Sequence, residues 1–384
     1  MKTLLKAIRE NNILLELVDG KLSIFAAESF LSPELIAEIE ENKLALTQLL
    51  LDNTQNGVND SFDPGIPVAP PSHDYPLSST QRRLWVLSQF KDASIAYNIP
   101  GVYTFEGDLD QPALEYAFNS LIQRHEILRT IFKEDAEGEI RQFVNSPEKA
   151  GFRIDYYDLA AEKDQEEKSA LLIRQEIARP FDLVKGPLLR VALCRLSENK
   201  WIFIYVMHHI ISDGWSMGVL ITELLSFYNG YTEGDTAMLP PLRIQYKDYA
   251  VWQKGWMEDD PLKEHKEYWL KKMEGELPVL ELLSGPRPPV RTYNGDTLYK
   301  QFDPSITRAI RSLGHGQGGT LFMALTAAVS ALLYRYTGQN DIIIGIPIAG
   351  RDHIDLEDQI GFYVNTLALR MQFKGEDSYQ QLLE

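Results

Sequence analysis

The sequence predicts a mixed α/β (α+β) protein with more than one lobe. At 384 residues and 43.8 kDa the chain is long enough for two or three cores, since one domain takes roughly 100 to 200 residues. Beyond Tyr75 apolar strands alternate with amphipathic helices, which is typical of a sheet covered by helices. Before that point the composition changes twice. We therefore expect a small N-terminal unit, a linker and a larger mixed part.

The N-terminal segment predicts a helix, a hairpin and a second helix. Residues 4–11 form an amphipathic helical pattern, and Asp19-Gly20 between two apolar runs is a strong hairpin signal. Ser32-Pro33-Glu34 opens a helix that should end near Leu51. A unit of about 50 residues buries too little surface to be very stable alone, so dimerisation or partner binding is expected. A mere solubility cap is the alternative.

A linker separates this unit from the rest of the chain. Asn, Asp, Gly, Ser and Pro dominate from Asp52 to His73, as in extended linkers. The next clear element is a helix after Pro112, where Leu114, Ala117 and Leu121 follow helical spacing. The domain boundaries predicted from the sequence are 1–53 for the first unit, 54–73 for the linker, 74–255 for a first lobe and 256–384 for a second.

Charge and cysteine content exclude several classes of protein. A net charge of −17 repels phosphates and anionic membranes, and the sequence has no compensating basic patch, so neither nucleic acid nor membrane is an expected partner. The single cysteine, Cys194, permits no internal disulfide and no zinc cage, so no metal is expected. The N-terminus lacks a signal-peptide core and no apolar run is long enough to span a membrane, which predicts a cytoplasmic location.

The densest chemistry lies around His208 and His209. The apolar run Trp201–Val206 before them predicts a buried strand, and residues 217–228 after them predict a helix. Gly214 would allow close backbone approach, and the N–H groups of the helix N-terminus would favour negative charge. This combination predicts a corner that stabilises an oxyanion.

Histidine titrates near neutrality, so one of the pair could accept a proton from an attacking amine. On a strand the two side chains point to opposite faces, so only one can face a given cavity. Asp213 could orient an imidazole or pair with an arginine. Because no serine or cysteine stands in a nucleophile-elbow pattern, direct acyl transfer is favoured over a covalent acyl-enzyme. The alternative is a satisfied histidine pair in the core.

Five segments in order carry a family resemblance. The segments are residues 78–85 (SSTQRRLW), 124–132 (RHEILRTIF), 207–214 (MHHIISDG), 246–252 (YKDYAVW) and 360–370 (IGFYVNTLALR). Together they resemble the core motifs of nonribosomal peptide synthetase condensation domains, whose His-x-x-x-Asp element is shared with chloramphenicol acetyltransferase.

The resemblance implies two chloramphenicol-acetyltransferase-like lobes in a V shape, with the histidine motif facing a tunnel between them. Donor and acceptor carrier proteins would deliver thioesters on phosphopantetheine arms, with no cofactor bound directly. The residues of the implied site are His209 as the catalytic histidine with His208, Asp213 and Gly214 in its motif, and Arg124, Arg129, Trp215 and Asn365 as supporting residues. Asp213 is expected to hold the loop by pairing with Arg129, and Asn365 to line the tunnel.

Motif details resemble the subtype that joins an L-configured donor to an L-configured acceptor. The first 53 residues resemble αββαα docking domains, which dimerise and bind the C-terminal tail of an upstream synthase at a strand edge. This implies a homodimer through residues 1–53 and places Lys21, Ser23 and Phe25 near the docking edge.

Condensation domains of this kind continue well past the Asn365 motif, so the second lobe is expected to be incomplete and prone to self-association. Three function classes remain open: an amide-forming condensation enzyme, a docking and carrier-binding module without turnover, and another acyltransferase that uses coenzyme A thioesters. The sequence names neither donor nor acceptor.

Overall fold

The computed structural model describes residues 4, 14–18, 21–25, 32–47, 65–90, 93–234, 239–258, 262–282, 295–316 and 318–383. The chain forms two compact units. One contains Met1–Pro67 with Arg351–Glu357, and the other contains Val68–Gly350 with Asp358–Glu384.

The first unit contains the predicted hairpin. Strand β1 (Leu14–Val18) pairs antiparallel with β2 (Lys21–Phe25), with Val18 opposite Lys21. This register confirms the hairpin, although the predicted turn at Asp19-Gly20 lies outside the described residues. The predicted helix over 4–11 also lies outside them, apart from Leu4, which is helical and buried.

The helix predicted to run from Ser32 to near Leu51 is interrupted. Helix α1 (Pro33–Glu41) starts as expected, because the Ser32 side chain accepts a hydrogen bond from the Leu35 amide at 3.2 Å. It ends at Asn42, whose side-chain amide donates to Glu38 O at 2.9 Å. Asparagine side chains compete in this way with the helical ladder, and helical residues resume at 43–47. The prediction of a single helix was therefore wrong, and its last residues, 48–51, are not among those described.

The described end of the predicted linker is packed. In the second unit the Ala69 amide donates to the buried carboxylate of Asp248 at 2.9 Å, and the Ser72 amide donates to the Tyr75 hydroxyl at 2.9 Å. Two amides of this segment are thus hydrogen-bonded within the second unit. The linker bounds of 54–73 stay a prediction.

A four-stranded sheet forms the centre of the second unit. Its order is β4-β9-β8-β7, and every pair is antiparallel except the parallel pair of β7 and β8. All residues of β9 from Trp201 to His208 are buried, which confirms the strand predicted there. The strand bounds are β4 Asn98–Glu106, β7 Ile154–Asp158, β8 Leu189–Arg195 and β9 Lys200–His208.

Two smaller sheets complete the described strands of this unit. One has the order β3-β6-β5, and the other is an antiparallel pair of β10 and β11. Their bounds are β3 Tyr75–Pro76, β5 Thr130–Glu134, β6 Ile140–Val144, β10 Asp341–Ile348 and β11 Asn365–Gln372.

Ten described helices belong to this unit: α2 Ser79–Ser88, α3 Ala93–Ala96, α4 Gln111–Arg124, α5 Gln165–Ala178, α6 Gly214–Glu233, α7 Tyr246–Glu258, α8 Lys263–Lys272, α9 Pro304–His315, α10 Leu321–Thr337 and α11 Tyr379–Leu383. Helix α4 confirms the helix predicted after Pro112: Asp110 caps it, and its apolar face is buried. Helix α6 begins three residues earlier than the predicted start at residue 217. None of the helices in the described ranges has the length and apolar character needed to cross a membrane.

The predicted lobe boundary at 255/256 stays a prediction and falls within a helix. Helix α7 runs without interruption from Tyr246 to Glu258, so a boundary at that point would cut a continuous helix.

An apolar stripe runs along the exposed face of α10. Phe322, Leu325, Val329, Leu332 and Tyr336 are each between 44 and 60% exposed, at spacings of three and four residues. Residues at these spacings lie on one helix face. Contiguous exposed apolar surface of this kind favours association.

We expect this α10 stripe to drive concentration-dependent self-association, because association removes its side chains from water. Replacing Leu325 and Leu332 together with glutamate should abolish the faster-sedimenting species in sedimentation velocity runs while leaving the melting temperature unchanged. Leu270→Glu is the matched control, since Leu270 is 65% exposed on a different helix. Equal association of all three proteins would show that the stripe is not the contact.

Candidate active site

The two histidines lie where a strand ends and a 3₁₀ turn begins. Strand β9 ends at His208, and His209 opens a single 3₁₀ turn, His209–Ile211. The His208 amide donates to Leu188 O at 3.0 Å, and the His209 amide donates to Tyr97 O at 2.8 Å. The backbone is thus fixed on both sides of the junction, and the two imidazoles belong to different elements.

His208 is buried and caps the turn that follows it. Its Nδ1 accepts a hydrogen bond from the Ile210 amide at 3.1 Å, so this nitrogen carries no proton. Burial, with smaller effects from the neighbouring charges of His209 and Arg190, lowers the pKa of His208 to about 3. Its Nε2 is buried and has no hydrogen-bond partner among the described residues. His208 is therefore neutral at pH 7 and its only lone pair is engaged, which argues against the predicted catalytic role.

His209 differs from His208 in which ring nitrogen carries the proton. Its Nδ1 lies 2.8 Å from Ser212 O, and since a carbonyl oxygen only accepts, Nδ1 carries the proton. The lone pair of the neutral imidazole is consequently on Nε2. The ring is partly buried and packs against Phe362 in a T-shaped geometry, with centroids 4.7 Å apart and planes at 69°. A partly accessible imidazole with a fixed tautomer is suited to receive a proton at Nε2.

Asp213 is fully buried and organises the start of α6. Its Oδ1 accepts hydrogen bonds from the Ser216 amide at 2.9 Å and the Ser216 hydroxyl at 2.7 Å, and its Oδ2 accepts from the Tyr363 amide at 3.1 Å. A carboxylate at the N-cap uses the partial positive charge of the helix N-terminus. The predicted oxyanion corner is therefore not supported, because a second negative charge at this end of α6 would be repelled by Asp213.

Gly214 is not required for a close approach of the backbone, contrary to the prediction from the sequence. A Cβ built on it would meet no atom within 4 Å, and its φ lies outside the left-handed region that favours glycine. The residue is exposed, so its missing side chain leaves open space beside the first turn of α6.

Three consecutive residues, Gly361, Phe362 and Tyr363, are held by side chains from other motifs, and we call this segment the 361–363 clamp. The Ser216 hydroxyl oxygen accepts a hydrogen bond from the Gly361 amide at 3.1 Å and lies 2.9 Å from Gly361 O. The Phe362 carbonyl accepts from the Thr80 hydroxyl at 3.0 Å and the Tyr246 hydroxyl at 2.6 Å. With Asp213 on Tyr363, the clamp joins motifs separated by more than 280 residues of sequence.

Only glycine can occupy position 361 without rearrangement. A Cβ there would lie 2.1 Å from the Tyr246 ring and 2.8 Å from the Tyr363 ring, well inside contact distance. The absence of a side chain lets the Tyr246 ring approach the backbone closely enough to bond to Phe362 O.

A family model describing the condensation domain matches residues 71–384. The chain belongs to the condensation domain family. Members of this family in nonribosomal peptide synthetases are amide-bond-forming acyltransferases. The match confirms the family to which the five motifs pointed.

The condensation domain has similar relatives among peptide synthetases and solved structures. One linear gramicidin synthase protein of Brevibacillus parabrevis is 44% identical over 310 residues, which are 80% of this chain and 6% of that protein. The X-domain from teicoplanin biosynthesis has a TM-score of 0.74 at 24% identity, covering 83% of this chain and 70% of that one. The starter condensation domain of rhizomide synthetase, in complex with C8-CoA, has a TM-score of 0.69 at 25% identity, covering 81% and 69%. These structures confirm the mixed acetyltransferase-like fold.

Arg129 does not pair with Asp213 in this condensation domain. Its Nε donates to Ile122 O at 3.2 Å, its Nη1 donates to Asn145 O at 2.5 Å, and its Nη2 lies 3.6 Å from Glu126. The predicted ion pair was wrong, because the guanidinium is occupied by the Ile122 and Asn145 carbonyls and lies near Glu126.

Arg124 supports the fold through a buried carboxylate. Its Nε donates to Glu223 Oε1 at 3.0 Å, and the other carboxylate oxygen lies 2.6 Å from His125 Nε2. Glu223 belongs to α6, so this group ties α4 to the helix that Asp213 caps. The role of Arg124 as a residue that supports the site stays a prediction.

Trp215 and Asn365 lie near the site in different settings. Trp215 follows Gly214 on the first turn of α6 and is 46% exposed. Asn365 is exposed and opens β11 opposite Ile348, and its Oδ1 accepts from the Thr366 amide at 2.9 Å. The role of Asn365 in lining a tunnel stays a prediction.

The sequence analysis missed Thr80, Ser216, Tyr246 and Phe362 as residues of the site. Each lies in or beside one of the five segments, but a hydroxyl within a motif does not show which carbonyl it will reach. Within the described ranges, no group of three or more histidine, cysteine or acidic side chains is arranged to hold a metal ion.

The stability of the domain should fall as pH drops below 6.5, because of His208. Above the ordinary pKa of 6.5 both states are neutral; below it the unfolded chain takes up a proton that the folded chain refuses until about pH 3. The free energy of unfolding should then fall by about 1.4 kcal/mol per pH unit from this residue. His208→Asn keeps an acceptor for the Ile210 amide and should flatten urea-unfolding stability measured from pH 6.5 to 4.5. An unchanged slope would contradict the burial argument.

Asp213 and Arg129 should contribute to stability independently. Asp213→Ala removes the helix cap and leaves the buried Tyr363 amide without this acceptor, at a cost of about 2–4 kcal/mol. Because the two side chains do not touch, a double-mutant cycle with Arg129→Ala should give a coupling below about 0.5 kcal/mol by urea unfolding. A coupling above about 1 kcal/mol would restore the originally predicted ion pair.

Proposed function

We propose that this condensation domain joins a carrier-bound acyl or peptidyl thioester to the amine of a carrier-bound aminoacyl acceptor, with His209 receiving the proton at Nε2. One observation carries this proposal. The Ser212 carbonyl fixes the Nδ1–H tautomer of His209 and so leaves the Nε2 lone pair available.

In the proposed reaction the acceptor nitrogen attacks the thioester carbonyl carbon and forms the C–N bond. The nitrogen loses a proton to His209 Nε2, the C–S bond breaks, and the sulfur of the donor arm leaves with its electron pair. The proton then passes to that sulfur, so His209 returns to its neutral form. Histidine is the side chain that most often carries out such proton transfers.

The neighbouring residues support this role without taking part in the chemistry. Asp213 directs its carboxylate to the α6 N-terminus and the Tyr363 amide, so it shapes the loop that carries His209. The open space beside Gly214 supports passage of a substrate arm, since any side chain there would project into that space.

The partners of this reaction are donor and acceptor carrier proteins, each with a phosphopantetheine arm. Joining an L-configured donor to an L-configured acceptor is the subtype that the motifs favour. The chain spans only 6% of the gramicidin synthase relative, so substrates and product belong to this proposal. The cytoplasmic location likewise stays a prediction.

A coenzyme A thioester is the second candidate for the donor. The starter condensation domain of rhizomide synthetase was solved in complex with C8-CoA, and this observation supports the second candidate. Mixing this domain with a loaded acceptor carrier and either acyl-CoA or an acyl-loaded donor carrier, followed by intact-mass analysis, distinguishes the two.

Docking to an upstream synthase is the proposed task of the first unit. Lys21, Ser23 and Phe25 occupy alternate positions of β2, the strand that pairs with β1. A tail peptide could add to the hairpin through backbone hydrogen bonds, with these positions setting its specificity.

Replacing His209 with alanine should lower the single-turnover rate of transfer between loaded carriers by about 10²- to 10⁴-fold, the usual worth of a general base. The melting temperature should change little, because the imidazole makes one side-chain hydrogen bond to a neighbouring carbonyl. The matched control is His208→Asn, whose rate should stay within about tenfold of the parent since His208 caps a turn. Full turnover by His209→Ala would leave a carrier-binding module as the better interpretation.

Substitutions on β2 should test docking separately. The tail of the upstream synthase should bind the complete chain with micromolar affinity, about −8 kcal/mol, as measured by titration calorimetry. Lys21→Glu with Ser23→Glu should weaken binding of an acidic tail about tenfold or more through charge repulsion. Binding that is indifferent to these changes, or absent for every candidate tail, would count against the docking role.

A further inference from the structure

The orientation of the His209 ring depends on two contacts of different kinds. The hydrogen bond from Nδ1 to Ser212 O fixes one ring atom, but a ring held at one atom can still swing about that bond. The Phe362 ring, with its centroid 4.7 Å away and its plane at 69°, is the second contact. T-shaped pairs of this geometry favour a defined angle between the rings.

Phe362 is in turn fixed by groups distant in sequence. Its side chain is 5% exposed, and its carbonyl accepts hydrogen bonds from Thr80 at 3.0 Å and Tyr246 at 2.6 Å. Its neighbour Gly361 is hydrogen-bonded to Ser216, and its neighbour Tyr363 is hydrogen-bonded to Asp213. The backbone that carries the aromatic ring therefore has little freedom to move.

The Tyr246 hydroxyl keeps its proton and donates it to the Phe362 carbonyl. Its side chain is buried, and desolvation raises the pKa of the phenol well above its ordinary value, so it stays protonated. Ser78 Oγ lies 2.9 Å from the Tyr246 oxygen and 3.0 Å from Thr80 Oγ1, so its single proton can donate to one of these two hydroxyl oxygens.

We propose that Phe362 is a positioning residue for the reaction: held by Thr80 and Tyr246, its ring fixes the plane of the His209 imidazole and so keeps Nδ1 directed at Ser212 O, the carbonyl that sets the tautomer. This inference rests on the proposed role of His209. Catalytic groups lose much of their effect when their geometry is loosened, even if no contact with substrate is lost. Phe362 should therefore affect the rate only through His209.

A double-mutant cycle tests the inference in the complete chain. Phe362→Leu keeps an apolar side chain but removes the aromatic plane, and it should lower the single-turnover rate about 10- to 100-fold with little change in the KM for loaded acceptor carrier. In a His209→Ala background the same change should have less than about a twofold effect, because residues that act as a unit are not additive. Phe362→Tyr, which keeps the ring, should restore most of the rate.

The matched control is Phe373→Leu, which removes a ring that makes a similar T-shaped contact, with Tyr334 at 5.6 Å, away from the site. Phe373→Leu should leave the rate unchanged.

If Phe362→Leu fails to fold, Tyr246→Phe is the second variant, because it removes only the hydroxyl donor. Tyr246→Phe should lower the rate about three- to tenfold in the parent and not in the His209→Ala background.

Imidazole tautomers give a readout that is independent of turnover. Long-range ¹⁵N–¹H spectra of the seven histidines, with His209 assigned by its loss in His209→Ala, should show the Nδ1–H form in the parent and a tautomer mixture in Phe362→Leu. If His209→Ala retains turnover, the proposed function fails while this spectrum still decides the positioning role. An unchanged Nδ1–H tautomer in Phe362→Leu, or a rate loss that persists without His209, would overturn the inference.

Discussion

The geometry of the site depends on one buried carboxylate. Asp213 accepts hydrogen bonds from the Ser216 amide, the Ser216 hydroxyl and the Tyr363 amide, and these bonds connect different parts of the structure. The Ser216 amide starts helix α6, the Ser216 hydroxyl extends to Gly361, and Tyr363 is the last residue of the 361–363 clamp. A buried charge is tolerated only where its oxygens are satisfied, so these groups must be brought together for the domain to fold. The position of the loop that carries His209 follows from that requirement.

The two adjacent histidines show how the environment divides one residue type into two roles. His208 ends a strand, accepts from the Ile210 amide and has a pKa lowered to about 3 by burial. His209 lies one residue further on, in a 3₁₀ turn, and donates from Nδ1 to the Ser212 carbonyl. Which ring nitrogen is protonated is thus set by whether the nearby backbone group is an amide or a carbonyl. That difference supports the assignment of proton transfer to the second histidine.

The sequence predicted the local elements well and the long-range contacts poorly. Strand β9, helix α4 and the N-terminal hairpin follow from periodicity and capping, which are properties of neighbouring residues. The pairing of Arg129 with Asp213 was wrong because several acceptors competed for the guanidinium, and the nearby Ile122 and Asn145 carbonyls prevailed. The hydroxyl contacts to Phe362 were missed for a related reason: serine, threonine and tyrosine bond to whichever carbonyl the fold brings within reach. No periodicity encodes that choice.

The clamp also explains how polar groups can specify a site inside an otherwise apolar core. Thr80, Tyr246 and Ser216 use hydroxyls, which rotate to suit a partner, whereas the carbonyls and amides of the clamp are fixed by the backbone. A shift of the segment by one residue would leave several of these buried groups without partners, at about 1–3 kcal/mol each. Apolar packing alone would penalise such a shift less, because it is not directional. The network therefore selects one register for residues 361–363, and the Phe362 ring meets the His209 imidazole in that register.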